Sequence, residues 1–272
     1  MDALNHIDEL PPQFQRLALI TGADVTRKLA KTRVIVFGLG GVGSWCAEAL
    51  VRSGIGEITL VDSDIICVTN INRQTQATTK TIGQFKADAL KTRLAEINPN
   101  CAVTARNKVF SRETASSFCV EDYDFVIDAI DSLEPKLDLI ELCGNLQKPL
   151  FSSMGMAQKL DPTRLLAADI WKTEGCPLAR LVRSGLRKRG FNGHFTAVYS
   201  TERLPLRTEI STSCGCGECL CPSRAGIRTE DGGEAKEWCA SKKLINGSAV
   251  MVTAAAGMIL ASLVVRASAS SV

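Results

Sequence analysis

The chain has little histidine, little net charge and no Walker-type phosphate loop, and each shortage removes a class of protein. Its 272 residues contain only two histidines, His6 and His194, which leaves little room for a histidine-rich metal site. A net charge of +3 does not by itself indicate nucleic-acid binding. No G-x-x-x-x-G-K-[ST] motif occurs, so the chain is not a P-loop NTPase.

Cysteine, by contrast, is plentiful. Eleven cysteines without an N-terminal signal peptide predict a reducing compartment and a cytoplasmic protein, and an odd number cannot all pair within one chain. One cluster of four thiols could hold zinc or an iron–sulfur cluster, but its spacing fits no common metal framework, so a loop with free thiols is favoured. The cluster consists of Cys214, Cys216, Cys219 and Cys221.

The most informative segment is RVIVFGLGGVGS, residues 33–44. Five strand-like residues lead into a glycine-rich turn, a helical pattern follows, and a second strand ends in Asp62. Glycines let the backbone approach a phosphate closely, and the helix N-terminus attracts the anion. An acid about 20 residues further on can hydrogen-bond a ribose hydroxyl. This order predicts a nucleotide site.

Strands alternate with helices over the first half of the chain. That order predicts an α/β fold with a mostly parallel sheet, flanked by helices, and ligands beyond the carboxyl ends of the strands. The predicted strands are Arg33–Phe37, Ile58–Asp62, Ala102–Arg106, Phe125–Ala129 and Pro149–Ser152. The predicted helices are Val42–Ser53, Gly83–Asn98, Arg112–Phe118 and Lys136–Gln147.

The C-terminal part differs in character. Residues 160–243 are rich first in arginine and then in cysteine and glycine, and we interpret them as an elaboration on a single domain spanning residues 1–272, partly loop. The run Ala249–Val265 has 17 residues without a charge, at the low edge for a membrane span. Its small residues favour a buried core or interface helix over a C-terminal anchor. We expect the tail Ala267–Val272 to be frayed.

Charged and polar residues cluster at and after the predicted strand ends. Arg73 and Lys86 could supply positive charge around a triphosphate, and Asp131 could hold Mg²⁺ through its carboxylate. The alternatives are a solvated helix position for Lys86 and a helix cap for Asp131. The candidate residues are Asp62, Asp64, Asn70, Arg73, Lys86 and Asp131.

These residues together resemble the ThiF/MoeB/E1-like adenylating family. The matching motifs are GLGGVGS at 38–44, DSD at 62–64, NINRQ at 70–74, Lys86 and DAID at 128–131. The resemblance implies a Rossmann-like E1-type adenylation fold, ATP and Mg²⁺ as cofactors, and an acyl-adenylate intermediate. It implies that Asp62 contacts the ribose, that Arg73 and Lys86 act on the triphosphate, and that Asp131 binds Mg²⁺. The nucleotide-binding residues implied are Gly38, Gly40, Gly41, Gly43, Asp62, Asp64, Asn70, Arg73 and Lys86.

An N-terminal segment extends the resemblance. Residues 13–16, QFQR, are similar to the R-[YF]-x-R of the family, with Gln13 in place of the first arginine. The resemblance implies a homodimer in which Arg16 reaches the phosphates bound by the partner subunit.

Two branches of the family compete for the substrate. One activates the C-terminus of a ubiquitin-like sulfur-carrier protein and commonly carries two C-x-x-C zinc pairs, which are absent from the expected places here. The other, the tRNA threonylcarbamoyladenosine dehydratases, adenylates the threonylcarbamoyl carboxylate of adenosine 37 and closes a ring with loss of water. VIDAIDSLEPK at 126–136, YSTE at 199–202, WCAS at 238–241 and NGSAVMVTAAAG at 246–257 resemble the second branch, which we favour. A non-catalytic NAD(P)-binding module fits less well, because hydride transfer needs no triphosphate clamp.

A basic stretch supports an RNA substrate. Arg180, Arg183 and Arg187 share one helical face, and such a patch can displace counterions from phosphates. The alternative is a solvated basic helix. The predicted RNA-binding residues are Arg180, Arg183, Arg187, Lys188 and Arg189.

Cys239 lies in the WCAS segment. It is a candidate catalytic thiol that meets a sulfur-transfer partner, or else a small buried residue before the last helix.

Overall fold

Helices and strands alternate through most of the protein. The structure, a computed structural model, describes residues 7–203 and 246–270. Its helices are α1 Pro12–Thr21, α2 Ala23–Leu29, α3 Gly43–Arg52, α4 Lys86–Ile97, α5 Leu133–Asn145, α6 Pro177–Lys188 and α7 Val250–Ser270. Its strands are β1 Arg33–Phe37, β2 Glu57–Val61, β3 Ala102–Arg106, β4 Phe125–Asp128, β5 Leu150–Ser153, β6 Leu165–Asp169 and β7 Thr196–Ser200.

The strands form one sheet in the order β3-β2-β1-β4-β5-β7-β6. Its pairs are parallel except for β6 with β7, so the predicted mostly parallel α/β sheet is confirmed. Val34, Ile35 and Val36 of β1 are fully buried, as expected for a central parallel strand covered on both faces. The strand order reverses between β1 and β4, and ligands of such sheets bind at the carboxyl ends on either side of that reversal. Gly38 and Ala129 begin the loops there.

Two hydrophobic layers cover the sheet. Side chains of α3, α4 and α7 pack on one face, and those of α5 and α6 pack on the other. The last helix is pressed against α3, since a Cβ on Gly257 would lie 2.5 Å from the Val42 carbonyl oxygen. Val252, Ala256 and Leu260 of α7 are fully buried or nearly so.

The sequence favoured a core or interface helix for the apolar C-terminal run, and α7 packs on α3 as part of the hydrophobic core. Among the described residues, α7 is the helix whose length and composition would also suit a membrane span, a test that core helices pass too. The expected fraying of the tail is wrong for residues 267–270, because α7 continues to Ser270, and residues 271–272 lie outside the described residues. Lys28 Nζ donates to the Ser268 carbonyl oxygen at 3.2 Å and helps to hold that end.

Local hydrogen bonding explains where predicted helix limits were wrong. The expected helix Arg112–Phe118 is only a 3₁₀ turn over Ala115–Phe118, because Thr114 Oγ1 donates to the Val109 carbonyl and competes with helical bonds. The helix predicted from Gly83 starts at Lys86, since Gly83 has a φ of +87°. The helix predicted from Lys136 starts at Leu133, because a proline in the first turn needs no donor.

Part of the expected C-terminal elaboration belongs to the sheet. Residues 160–203 supply β6, α6 and β7. The sequence predicted neither of the two strands, whereas it did place the basic arginines on a helix. The remainder, 204–243, lies outside the described residues. The division into a single domain with a variable 160–243 region stays a prediction.

Candidate nucleotide-binding active site

The glycine turn fits tightly against the loop that follows β4. Gly38 has a φ of +86°, and a Cβ there would lie 2.7 Å from the Ala129 carbonyl oxygen. A Cβ on Gly43 would lie 1.9 Å from the Gly38 carbonyl oxygen. A Cβ on Gly40 would meet nothing within 4 Å, so open space lies beside the middle of the turn. Glycine is therefore required on the inner side, while the outer side leaves room for a ligand.

The turn leads straight into the N-terminus of α3. No side chain caps this helix, whose N-cap residue is Val42. Ser44 Oγ turns back and donates to the Gly40 carbonyl oxygen at 2.7 Å, which stiffens the turn. An uncapped helix N-terminus presents amide N–H groups and the positive end of the helix dipole, both of which favour phosphate.

Asp62, one residue beyond β2, holds the turn from the other side. Its Oδ2 accepts from the Leu39 amide at 2.7 Å, and its Oδ1 accepts from the Asp64 amide at 2.8 Å. Removal from water raises the pKa of Asp62, although the charge of Lys86 opposes the shift. The carboxylate that the sequence assigned to the ribose thus fixes the backbone of the glycine turn.

Lys86 is a buried cation at the site. Its side chain is 9% exposed, and Nζ lies 2.7 Å from Oδ2 of Asp64. Burial disfavours its charged form, yet attraction by Asp62 and Asp64 outweighs this and raises the pKa of Lys86 above its ordinary value. A solvated helix position, the alternative interpretation, is excluded. The other oxygen of Asp64, Oδ1, is buried and has no hydrogen-bond partner among the described residues.

Arg73 extends across the glycine turn. A Cβ on Gly41 would lie 3.1 Å from Arg73 Cγ. Arg73 Nη1 donates to the Thr69 carbonyl and to Asn72 Oδ1, each at 2.9 Å. Trp45 Nε1 donates to the Arg73 carbonyl oxygen at 2.9 Å and anchors the backbone on α3.

The segment after Arg73 is fastened to α3 and to the turn. Glu48, buried on α3, accepts from Thr75 Oγ1 at 2.9 Å and from Arg93 Nε at 2.6 Å. Gln76 Nε2 donates to the Leu39 carbonyl oxygen at 2.9 Å. These bonds tie α3, α4 and the Arg73 segment into one rigid support.

The start of α7 closes another side of the turn. A Cβ on Gly41 would lie 3.0 Å from Thr253, and Asn72 Nδ2 donates to the Ser248 carbonyl oxygen at 2.8 Å. Sequence reasoning placed no residue of this helix at the site.

Asp131 completes the group of charges. It is exposed in the loop after β4, and its negative charge acts on both Arg73 and Lys86. Burial lowers the pKa of Arg73, and Asp131 opposes that shift. The described residues contain no cluster of three or more metal-ligating side chains. A single carboxylate fits Mg²⁺ nonetheless, since this ion usually takes its other ligands from substrate phosphates and water.

Two predicted site residues remain, Asn70 and Arg16. Asn70 is buried, and its Oδ1 accepts from the Cys67 amide at 3.0 Å, so it closes a turn beneath the Arg73 segment. Arg16 is exposed on α1. That helix contacts the end of α3 that is remote from the glycine turn. A Cβ added to Gly54, just after α3, would lie 3.4 Å from the Phe14 ring.

Some of the positive side chains of the basic helix α6 are exposed to solvent, and others bind partners within the fold. Arg180, Arg187 and Lys188 are exposed, and the Arg187 guanidinium lies 5.3 Å from the centre of the Trp171 ring. Arg183 donates to the Thr173 hydroxyl. Arg189 is paired internally with carboxylates of α5, those of Glu134, Asp138 and Glu141.

The N-terminus of α6 lies at the same edge of the sheet as the glycine turn, since Gly155, just after β5, packs against Cys176.

The predicted cysteine sites, Cys239 and the cluster Cys214, Cys216, Cys219 and Cys221, lie outside the described residues. The described cysteines are free thiols.

Sequence reasoning missed the residues that support the site rather than line it. Trp45, Glu48 and Thr75 form hydrogen bonds to partners far away in the sequence, and no local sequence motif predicts such bonds. The buried pair of Asp128 and Lys136 was also missed, although DAID drew attention to the first of them.

Comparison with known proteins agrees with this geometry. The model of the ThiF family matches residues 12–269, so the chain belongs to the ThiF family. The particular members that it is similar to include two tRNA threonylcarbamoyladenosine dehydratases. That of Bacillus subtilis is 43% identical over 207 residues, which cover 76% of this chain and 82% of the relative. That of Escherichia coli is 35% identical over 257 residues, which cover 92% of this chain and 91% of the relative.

A solved structure supports the same grouping. The Escherichia coli tRNA N6-threonylcarbamoyladenosine dehydratase TcdA in complex with ATP matches with a TM-score of 0.77 and 32% identity over 95% of this chain and 94% of that one. A molybdopterin-synthase adenylyltransferase from Salmonella typhimurium is 31% identical over only 52% of this chain and 57% of its own length. The predicted E1-type adenylation fold is confirmed, and the dehydratase branch is favoured over the sulfur-carrier branch.

Proposed function

We propose that this protein uses ATP to adenylate the carboxylate of threonylcarbamoyladenosine 37 in tRNA and then cyclises it with net loss of water. The observation that carries the proposal is the convergence of Arg73 and Lys86 beside the uncapped N-terminus of α3. Positive groups held there before the reaction stabilise charge that develops on a triphosphate.

The reaction follows from making a poor electrophile reactive. A carboxylate oxygen attacks the α-phosphorus of ATP, the bond to the β-phosphate bridging oxygen breaks, and pyrophosphate leaves. The carbamoyl nitrogen then attacks the activated carbonyl carbon and loses its proton, and AMP departs with the former carboxylate oxygen. The protein contributes position and charge, and Arg73 and Lys86 neutralise the phosphates.

Asp131 is the residue that would hold Mg²⁺ together with phosphate oxygens. Bound there, the ion would supply charge neutralisation at the leaving pyrophosphate. The exposed carboxylate beside Arg73 and Lys86 supports this role.

The site is completed by a second copy of the chain. Arg16 lies on α1, beyond the far end of α3, a helix of ten residues and therefore about 15 Å long. Arg16 contacts the phosphates bound by the partner subunit rather than those bound by its own subunit.

The tRNA is held in part by Arg180, Arg187 and Lys188 of α6. The free thiols are consistent with a cytoplasmic protein. A sulfur-transfer partner at Cys239 stays a prediction.

The test supplies ATP, Mg²⁺ and tRNA that carries threonylcarbamoyladenosine, and it follows both pyrophosphate and the mass of the nucleoside. We expect pyrophosphate release and a nucleoside lighter by one water. Transfer RNA without the threonylcarbamoyl group is the matched substrate control, and the Arg73→Ala variant is the protein control. Release only with a protein that ends in Gly-Gly would contradict the proposal and assign the chain to sulfur-carrier activation.

A further inference from the structure

A buried charged cluster lies directly behind the site. Lys136 and Asp128 have no exposed surface, and Nζ lies 2.6 Å from Asp128 Oδ2. The same carboxylate oxygen accepts from Ser152 Oγ at 2.6 Å. Lys136 Nζ also donates to the Ser153 carbonyl oxygen at 3.0 Å. The cluster of Asp128, Lys136 and Ser152 therefore joins β4, α5 and β5.

The second oxygen of Asp128 points into the loop of the site. Asp128 Oδ1 accepts from the Ile130 amide at 3.0 Å, and the Ala129 amide donates to the Phe37 carbonyl at 2.8 Å. The peptide between Ala129 and Ile130 is the surface against which Gly38 packs. One carboxylate thus connects the cluster to the wall of the glycine turn, and Asp131 follows in the same loop.

Stability alone does not account for such a pair. Removing two charges from water is costly, and well-packed apolar residues in place of a buried ion pair are often neutral or stabilising. What apolar residues cannot provide is a fixed acceptor for the Ile130 amide.

We propose that Asp128, Lys136 and Ser152 are positioning residues that set the shape of the loop 129–131 and hence the fit of ATP against the glycine turn. The inference rests on the proposed use of ATP at this site and is independent of which carboxylate is adenylated.

Two adjacent buried serines provide a matched test. Ser152→Ala removes a donor to Asp128, whereas Ser153→Ala removes a hydroxyl that, among the described residues, donates to the Met154 carbonyl and not to Asp128. Titration calorimetry with ATP and Mg²⁺ measures affinity without any tRNA. We expect Ser152→Ala to raise the Kd for ATP about tenfold, in line with a lost hydrogen bond to a charged group, and Ser153→Ala to leave it unchanged. Equal affinities in the two variants would overturn the proposal.

A neutral replacement of the ion pair separates position from stability. Asp128→Leu combined with Lys136→Met leaves no unpaired buried charge and removes the acceptor of the Ile130 amide, and its melting temperature is measured beside its kinetics. We expect KM for ATP to rise while KM for the carboxylate substrate stays constant. Equal increases in both constants would indicate general loosening and would contradict the inference.

The two serine variants decide the question even if the double variant does not fold. If no carboxylate substrate is ever turned over, the proposed function fails while the ATP titration still tests the positioning role.

Discussion

At the scale of single residues, Lys86 is a buried charge whose proposed role is at the phosphates of ATP. It is buried, yet two neighbouring carboxylates hold it protonated. Lys86→Met should lower kcat/KM for ATP by about 10²–10³-fold, the range found when one donor to a developing oxyanion is removed. Pyrophosphate release at varied ATP measures it.

Lys91 lies on the same helix and is exposed, so Lys91→Met is the matched control and should behave as the wild type. Turnover by Lys86→Met within a few-fold of the wild type would remove Lys86 from the phosphate site.

Three of the site residues that the sequence predicted lie in loops that directly follow the carboxyl end of a parallel strand. Topology alone brings Gly38, Asp62 and Asp131 to one edge of the sheet. Partners such as Glu48 and Thr75 could not be predicted, because their bond depends on how α3 meets a loop 27 residues away. Asn70 shows the limit of motif reasoning, since a residue expected at the triphosphate also closes a turn.

At the scale of elements, Glu48 joins α3, α4 and the Arg73 segment. Burial opposes its ionisation, but hydrogen bonds from Arg93, Arg52 and Thr75 outweigh it and lower its pKa below the ordinary 4.5. A lowered folded pKa means that this stabilisation is fully present above about pH 4.5 and is lost as the pH falls through the folded value.

Glu48→Gln should therefore cost about 1–3 kcal/mol at neutral pH, and the difference from the wild type should shrink below pH 4.5. Urea unfolding at several pH values measures both quantities. Glu96→Gln, an exposed position on α4, should change neither, and a pH-independent gap for Glu48→Gln would contradict the assignment.

The helix α6 carries the prediction for RNA. Arg187→Glu with Lys188→Glu should weaken binding of tRNA and reduce the slope of log affinity against log salt by roughly 0.9 for each phosphate that the helix no longer neutralises. Lys31→Glu with Lys91→Glu makes the same change in net charge at exposed positions elsewhere and should retain the wild-type slope. Identical salt slopes for both pairs would make α6 a solvated face.

Arg189 was predicted with this group, yet its three ion pairs to α5 stabilise the helix contact instead. Sequence spacing identified the helical face, but it could not reveal which arginines already had partners within the fold.

At the scale of the whole molecule, the first five strands were predictable because short runs of strand-forming residues alternate there with helical patterns. The two strands β6 and β7 were not predicted. They form the antiparallel edge of the sheet. β6 contains the apolar run LLAA with Leu166 and Ala167 exposed, and so short an apolar run does not by itself distinguish a strand from a helix segment.

In the proposed homodimer, the position of α1 leaves each subunit dependent on Arg16 of its partner. Arg16 and the glycine turn lie at opposite ends of α3, so a chain that lacks Arg16 still offers an intact turn with Arg73. A chain that lacks Arg73 still offers Arg16 to its partner. Each homodimer of the single variants Arg16→Ala and Arg73→Ala should therefore be inactive, for different reasons.

Mixing the two variants should restore activity. In a mixed dimer, the subunit with Arg73 receives Arg16 from its partner, so one of the two sites is complete. Random reassortment makes half of the dimers mixed, and the mixture should reach about a quarter of wild-type turnover. Pyrophosphate release before and after subunit exchange measures the gain, and the double variant mixed with either single variant is the control that should gain nothing. No recovery in dimers shown to have exchanged would mean that Arg16 does not reach the partner's phosphates.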